Sequence, residues 1–256
     1  MSCAASKAPF CSETSHRRQA ATLPKATMRG MGTLYLVRHG QASFGEDDYD
    51  QLSPLGQQQA IRLGEYWRER FAHEGKHIDT VLIGSLKRHR QTWEGIAQGA
   101  GWLHTPAVWP QLNEYDSHAL IQAIHPEPLP KPDTPELYRQ HFRLLRDALT
   151  AWMQGHIHPE GMPTYSDFVM GIEAALSHIR QHSTGHALIV SSGGPISTAV
   201  GHLLDASLVA TIELNFRIRN TAVTEFAFTS KRHTLLSYNH LPHLDRIEHQ
   251  DWVTYA

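Results

Sequence analysis

Leu34-Tyr35-Leu36-Val37-Arg38-His39-Gly40 decides how this chain is read. An apolar, β-prone run stops abruptly on an arginine, a histidine and a glycine. The run suits a parallel strand buried on both faces, and the glycine allows a sharp turn and close approach to a ligand. Ligands of open α/β sheets bind just outside the carboxyl ends of the strands. An imidazole standing there can act as a nucleophile, and a guanidinium can grip phosphate oxygens through its planar fork. Alone, such a strand end is also what an ordinary polar boundary looks like. The later motifs separate the two readings.

Downstream, strand and helix patterns alternate. Ser53-Pro54 pairs an N-cap with proline at the first helical position, and Ala60, Leu63, Gly64, Trp67 and Phe71 recur at helical spacing to about residue 74. Val81-Leu82-Ile83-Gly84 is a second buried strand, with a helix from Ser85 to about Gly99 and a short strand at His104 to Val108. Prolines crowd residues 115–163, which read as an excursion from the core carrying one helix at about 135–154. A further helix spans about 165–182, and Ala187 to Val190 is a third core strand. Ser191-Ser192-Gly193-Gly194-Pro195 then opens a helix to about Leu204, and residues 222–228 and 234–238 form a hairpin. The alternation predicts a three-layer α/β sandwich around a mostly parallel sheet.

Upstream, residues 1–30 are rich in Ala, Ser, Thr, Lys and Arg, with Glu13 their single acid and no periodicity. They lack the apolar core of a secretory signal. The bias fits a disordered tail, an organellar transit peptide or an upstream start, since Met28 and Met31 both precede the first strand. The expectation is a disordered extension followed by one domain over 31–256, with a cap-like insertion at about 115–163.

The three strand ends share a chemistry. The first offers Arg38 and His39, and the second leads into Ser85-Leu86-Lys87-Arg88-His89-Arg90-Gln91-Thr92. The third is a glycine-rich turn into a helix whose free N–H groups can receive an anion. Arg38-His39-Gly40, Arg88 within Ser-x-x-Arg-x-x-Gln-Thr, and Leu112-Asn113-Glu114 resemble, in order and spacing, the histidine phosphatase superfamily with its phosphoglycerate mutase-like fold. The Asn215 to Leu244 stretch, with Asn220-Thr221-Ala222-Val223-Thr224 and Tyr238-Asn239, resembles bacterial phosphatases of that group. The resemblance covers about residues 33–245, interrupted by the variable middle.

It implies that His39 attacks phosphorus and carries a transient phosphohistidine, while Arg38 and Arg88 clamp the equatorial oxygens. It implies that Glu114 protonates the leaving oxygen. Two fixed positive charges favour the neutral imidazole that such a nucleophile requires. Arg88 sits at the start of a helix, where a cation opposes the macrodipole, and that favours a functional reading over a solvated charge. Gln41 and Ser43 are candidate substrate contacts, though polar loop residues are commonly just solvated. Ser192 and Gly193 occupy the place where most of the superfamily has His-Gly. Serine keeps a neutral hydrogen bond to the phosphoryl group and loses charge assistance.

Composition narrows the function classes. A net charge of −2 across 256 residues gives no case for nucleic acid or an anionic membrane, and no apolar run reaches the roughly 18 residues needed to span a bilayer. Cys3 and Cys11 are the only cysteines, which rules out a disulfide framework in the body and fits a cytoplasmic, reducing compartment. Of the 19 histidines, His118 and His202 are candidates to replace the missing one. The pairs His156/His158 and His240/His243 lack a third or fourth ligand at recognised metal spacing. The expected activity is a phosphatase acting on a small phosphorylated metabolite, with no metal and no cofactor. A mutase-type phosphotransferase would need to exclude water from the phosphoenzyme, and a phosphate-binding module with negligible turnover is kept in play by Ser192. The sequence sets neither substrate nor oligomeric state.

Overall fold

The apolar run becomes β1 (Gly32–Arg38), followed by α1 (Pro54–Glu74), β2 (Ile78–Ile83), α2 (Lys87–Ala100) and a two-residue β3 (Ala107–Val108). Next come α3 (Ser117–Ile124), α4 (Pro135–Met153), α5 (Tyr165–His182), β4 (His186–Ser191), α6 (Gly193–Leu203) and α7 (Leu208–Arg217). A hairpin of β5 (Val223–Phe228) and β6 (His233–His240) follows. This computed structural model describes residues 1, 31–43, 50–130 and 134–255. Apart from Met1, the expected N-terminal extension lies outside the described residues.

The six strands are ordered β3-β2-β4-β1-β5-β6. The four strands β3, β2, β4 and β1 run parallel, while β5 and β6 add an antiparallel flank, so the sheet is mixed and mostly parallel as expected. Side chains of a strand alternate between faces. In β1, Leu34 and Leu36 enter one buried cluster with α3 to α7, and Tyr35 and Val37 enter a second with α1 and α2. The near-continuous apolar run follows from this two-sided burial.

Register sets the position of the site. Arg38 pairs with Ser191, His39 N–H donates to the Ser191 carbonyl at 2.9 Å, and Gly84 N–H donates to the Val190 carbonyl at 3.2 Å. The ends of β1, β4 and β2 are therefore side by side at one edge.

Two helices were not read from the sequence. Asp116 caps α3 by accepting from the N–H groups of His118 and Ala119, and Ser207 caps α7 by accepting from Ala210 N–H. The excursion over 115–163 also reaches inward: Leu120, Ile121, Leu145, Leu149 and Trp152 belong to the same buried cluster as β1. Gly40 answers to packing, because a Cβ there would lie 2.4 Å from the Gly56 carbonyl oxygen at the start of α1. Close approach to helix backbone explains that glycine better than approach to a ligand.

Candidate active site

His39 leaves the end of β1 with its ring buried. Its Nδ1 lies 2.7 Å from the Gly40 carbonyl oxygen, which can only accept, so Nδ1 carries the hydrogen and Nε2 the lone pair. Burial holds the imidazole well below its usual pKa, and Arg88, Arg38 and His89 add to that depression. A turn braces this residue from behind. Thr221 N–H donates to the carbonyls of Arg38 and His39, and Asn220 Nδ2 donates to the His39 carbonyl at 3.2 Å. Thr221 holds a positive φ of 54°, and its hydroxyl lies 2.9 Å from Nε2 of the buried His243.

Both arginines are buried and anchored. Arg38 donates to the Ile218 carbonyl at 2.6 Å. Arg88, in the first turn of α2, donates to Asp50 Oδ1 at 2.7 Å, while Asp50 Oδ2 accepts Lys87 N–H at 2.8 Å. No side chain of the N-cap residue Leu86 caps α2, so one aspartate supplies both the missing cap and the counter-charge for Arg88. Thr92 accepts Gly40 N–H at 3.0 Å and Gln91 accepts Leu52 N–H at 2.8 Å, so the Gln-Thr pair ties α2 to the segment after β1.

Glu114 is delivered by a short turn, Pro110–Leu112, whose end is stapled to the strands. Ser191 Oγ donates to the Leu112 carbonyl at 2.7 Å, and the Asn113 amide bonds both the N–H and the hydroxyl of Ser85. The carboxyl group of Glu114 accepts Gly194 N–H at 3.1 and 3.2 Å. Burial raises its pKa, against lowering contributions from Gly194 N–H, Arg88 and Arg38. The start of α6, expected to offer free N–H groups to an external anion, thus gives one of them to Glu114.

Ser192 follows β4, and its hydroxyl lies 2.7 Å from Nε2 of His89. The His89 ring is fully buried, with its centroid 5.8 Å from that of His39. Burial, then Arg88, brings its pKa down to about 3. Arg38, His39, Arg88, Glu114, Ser192 and Gly193 are thus gathered at one sheet edge, joined through His89 and Gly194. Gln41 and Ser43 sit on the adjoining loop. The Gln41 side-chain oxygen accepts the Ser53 hydroxyl at 2.8 Å, and Ser43 N–H donates to the Gln51 carbonyl. Of the two histidines weighed as replacements, His118 is exposed in α3 and His202 pairs with Glu173 on the surface. Sequence reasoning missed His89, Asp50 and the bracing role of Thr92. His89 was legible in principle, since it stands in phase with the buried positions Thr92, Trp93 and Ile96 of α2. Among the described residues no group of three or more His, Cys, Asp or Glu could hold a metal.

Together, sheet and cluster define a class: an α/β protein whose strand-end site combines a neutral histidine with two guanidinium groups and a half-buried glutamate. The chain belongs to the histidine phosphatase superfamily (branch 1), whose family model matches residues 34–241. A broad-specificity phosphatase of Saccharomyces cerevisiae is 39% identical over 66 residues, 23% of this chain and 26% of that protein, so the match spans about a quarter of the relative's length. Among solved structures, a phosphoserine phosphatase from Entamoeba histolytica is similar with a TM-score of 0.57 at 21% identity, covering 83% of this chain and 99% of that one. A Bacillus anthracis phosphoglycerate mutase gives 0.57 at 17% identity over 84% and 96% of the two chains. A mycobacterial glucosyl-3-phosphoglycerate phosphatase gives 0.56 at 20% identity over 81% and 98%. These likenesses establish the fold.

Proposed function

We propose that this protein hydrolyses a small phosphomonoester through a phosphohistidine on His39. The observation that carries this reading is the state of His39: a neutral ring, its Nδ1–H committed to the Gly40 carbonyl, with two buried arginines as neighbours. Nε2 forms a bond to phosphorus as the bond from phosphorus to the leaving alkoxide breaks. Arg38, Arg88, Ser192 and the Gly193 N–H hold the three non-bridging oxygens. Glu114, whose pKa burial raises, gives a proton to the leaving oxygen. Water then attacks the phosphohistidine, Glu114 takes a proton from it, the N–P bond breaks, and inorganic phosphate leaves. The cap that selects the rest of the substrate is built from α3, α4 and the described residues around them, and no cofactor enters the scheme.

The partial match to a broad-specificity phosphatase supports hydrolysis over mutase chemistry. The second reading is a phosphate-binding module with negligible turnover, favoured by the serine at position 192. A panel of phosphomonoesters assayed with wild type and His39→Ala decides between them. Turnover abolished in the variant, with a phosphoryl adduct trapped on the wild type by acid quench and intact mass, is the expected result. Equal background rates for both proteins overturn the phosphatase reading.

A further inference from the structure

The Ser192 hydroxyl behaves unlike other cap hydroxyls in this fold. Ser192 is the N-cap of α6, a position where serine usually accepts from the helix's own free N–H groups. Ser53, Thr134, Thr164 and Ser207 do so here, whereas Ser192 makes no side-chain cap bond. Its hydroxyl turns instead towards α2 and meets His89 Nε2 at 2.7 Å. That bond depends on space opened elsewhere, because a Cβ at position 84 would lie 2.1 Å from His89 Nδ1. Only glycine at the end of β2 leaves room for the ring.

The direction of the bond is set by the partners that the other atoms lack. His89 Nδ1 is buried with no hydrogen-bond partner among the described residues. A buried N–H left unpaired is rarer and more costly than an unmet lone pair, so the ring hydrogen belongs on Nε2 and is donated to Ser192. The Ser192 hydroxyl hydrogen is then left to donate, and Ser192 makes no other side-chain hydrogen bond among the described residues. We propose that His89 is a positioning residue that aims the Ser192 hydroxyl at the transferring phosphoryl group, so that the two side chains together supply a donor that a single strand-end histidine would otherwise provide. The imidazole stands on the neighbouring helix and acts through serine. The depressed pKa of His89 agrees with a neutral donor beside the permanent cation of Arg88.

This inference rests on the phosphatase reading, and the test separates their failures. The kcat and KM for p-nitrophenyl phosphate are measured for wild type, His89→Ala, His89→Gln, Ser192→Ala, the double variant His89→Ala/Ser192→Ala and His39→Ala, with melting curves for each. Orthovanadate affinity is measured by calorimetry on the same proteins. His89→Ala and Ser192→Ala should each lower kcat by about 10- to 100-fold with KM changed less than threefold, at the low end of the loss expected for one direct donor. The double variant should lose no more than either single variant. His89→Gln, which keeps an N–H near the Nε2 position, should regain part of the rate, and each alanine variant should weaken vanadate binding by about tenfold. Losses that multiply in the double variant overturn the inference. So does a His89→Ala protein that melts earlier but keeps its kcat and vanadate affinity. If His89→Ala does not fold, the outcome for His89→Gln decides: retention of rate supports the pairing, and loss equal to Ser192→Ala overturns it. A wild-type rate equal to that of His39→Ala sinks the phosphatase reading alone, and vanadate affinity then decides the pairing.

Discussion

The ends of β1 and β4 lie one hydrogen bond apart, and each is joined to a buried histidine through a hydroxyl. Behind β1, Thr221 meets His243 Nε2 at 2.9 Å; at β4, Ser192 meets His89 Nε2 at 2.7 Å. Both rings are depressed by burial to about 3. The difference lies in the other side of each hydroxyl. Thr221 also gives its hydrogen to the Asn220 carbonyl at 2.7 Å, so its bonding is complete within the protein. Ser192 has no protein acceptor among the described residues. A complete pair holds the backbone of the nucleophile in place, whereas an incomplete one has a hydrogen left for a ligand. The contrast teaches that identical side-chain chemistry serves structure or reaction according to what remains unsatisfied.

Four measurements press on that contrast. The largest effect belongs to the β1 end: His39→Ala should lower kcat by about 10⁴-fold or more, since it removes the group that forms the covalent intermediate. A loss no larger than that of Ser192→Ala would erase the distinction between the two ends. Next, Glu114→Gln should cost about 10²–10⁴-fold on alkyl phosphates, and less on p-nitrophenyl phosphate, whose leaving group needs little protonation. Because burial raises the Glu114 pKa, wild-type activity should fall as pH rises through that raised value, and the variant should lose this limb. An unchanged alkaline limb would take the proton from another group.

The third effect concerns the hydroxyl at β4. Ser192→His alone should lower activity several-fold, because the His89 ring already occupies the adjoining space and a second imidazole overfills it. Combined with His89→Ala, the same substitution should recover activity above that of His89→Ala. Failure to recover would mean the site does not accept an imidazole from the strand end. The smallest effect is on stability. In the unfolded chain His89, His243 and His233 bind protons below about pH 6.5, while in the folded protein they resist until about 3, 3 and 4. The unfolded state therefore holds more protons in that window, and stability should fall as pH drops from about 6.5 towards 3. His243→Gln and His89→Gln should each flatten this slope in urea melts.

Much of this architecture was legible because burial leaves periodic marks. The runs at 34–37, 81–83 and 187–190 are apolar on both faces of the sheet, and Ser53-Pro54 places the start of α1 to the residue. The strand-end residues Arg38, His39 and Arg88 could be read from the polar residues that close the first two runs. Helices α3 and α7 escaped because they span only 8 and 10 residues, too few for a strong periodic signal, although Asp116 and Ser207 mark their starts. His89 escaped for a different reason. A polar side chain in phase with a buried stripe reads as core packing until the atom opposite it is known. Asp50 was equally hidden, since its partners Lys87 and Arg88 lie far along the chain and only the folded loop brings them together.

The register of β1 carries a consequence for how the protein comes into being. Its two sheet neighbours, β4 and β5, lie about 150 and 190 residues further along the chain. At roughly 5–20 residues per second, a ribosome needs on the order of 10–30 s after releasing β1 to produce β4. Throughout that interval Leu34, Tyr35, Leu36 and Val37 have no strand to pair with, and the Arg38-His39 segment has nothing to fix its geometry. The nascent chain should therefore be a client of holding chaperones, and refolding from denaturant should be slow and sensitive to concentration. β1 waits for both of its neighbours, and until then the chain has the residues of the site without the site.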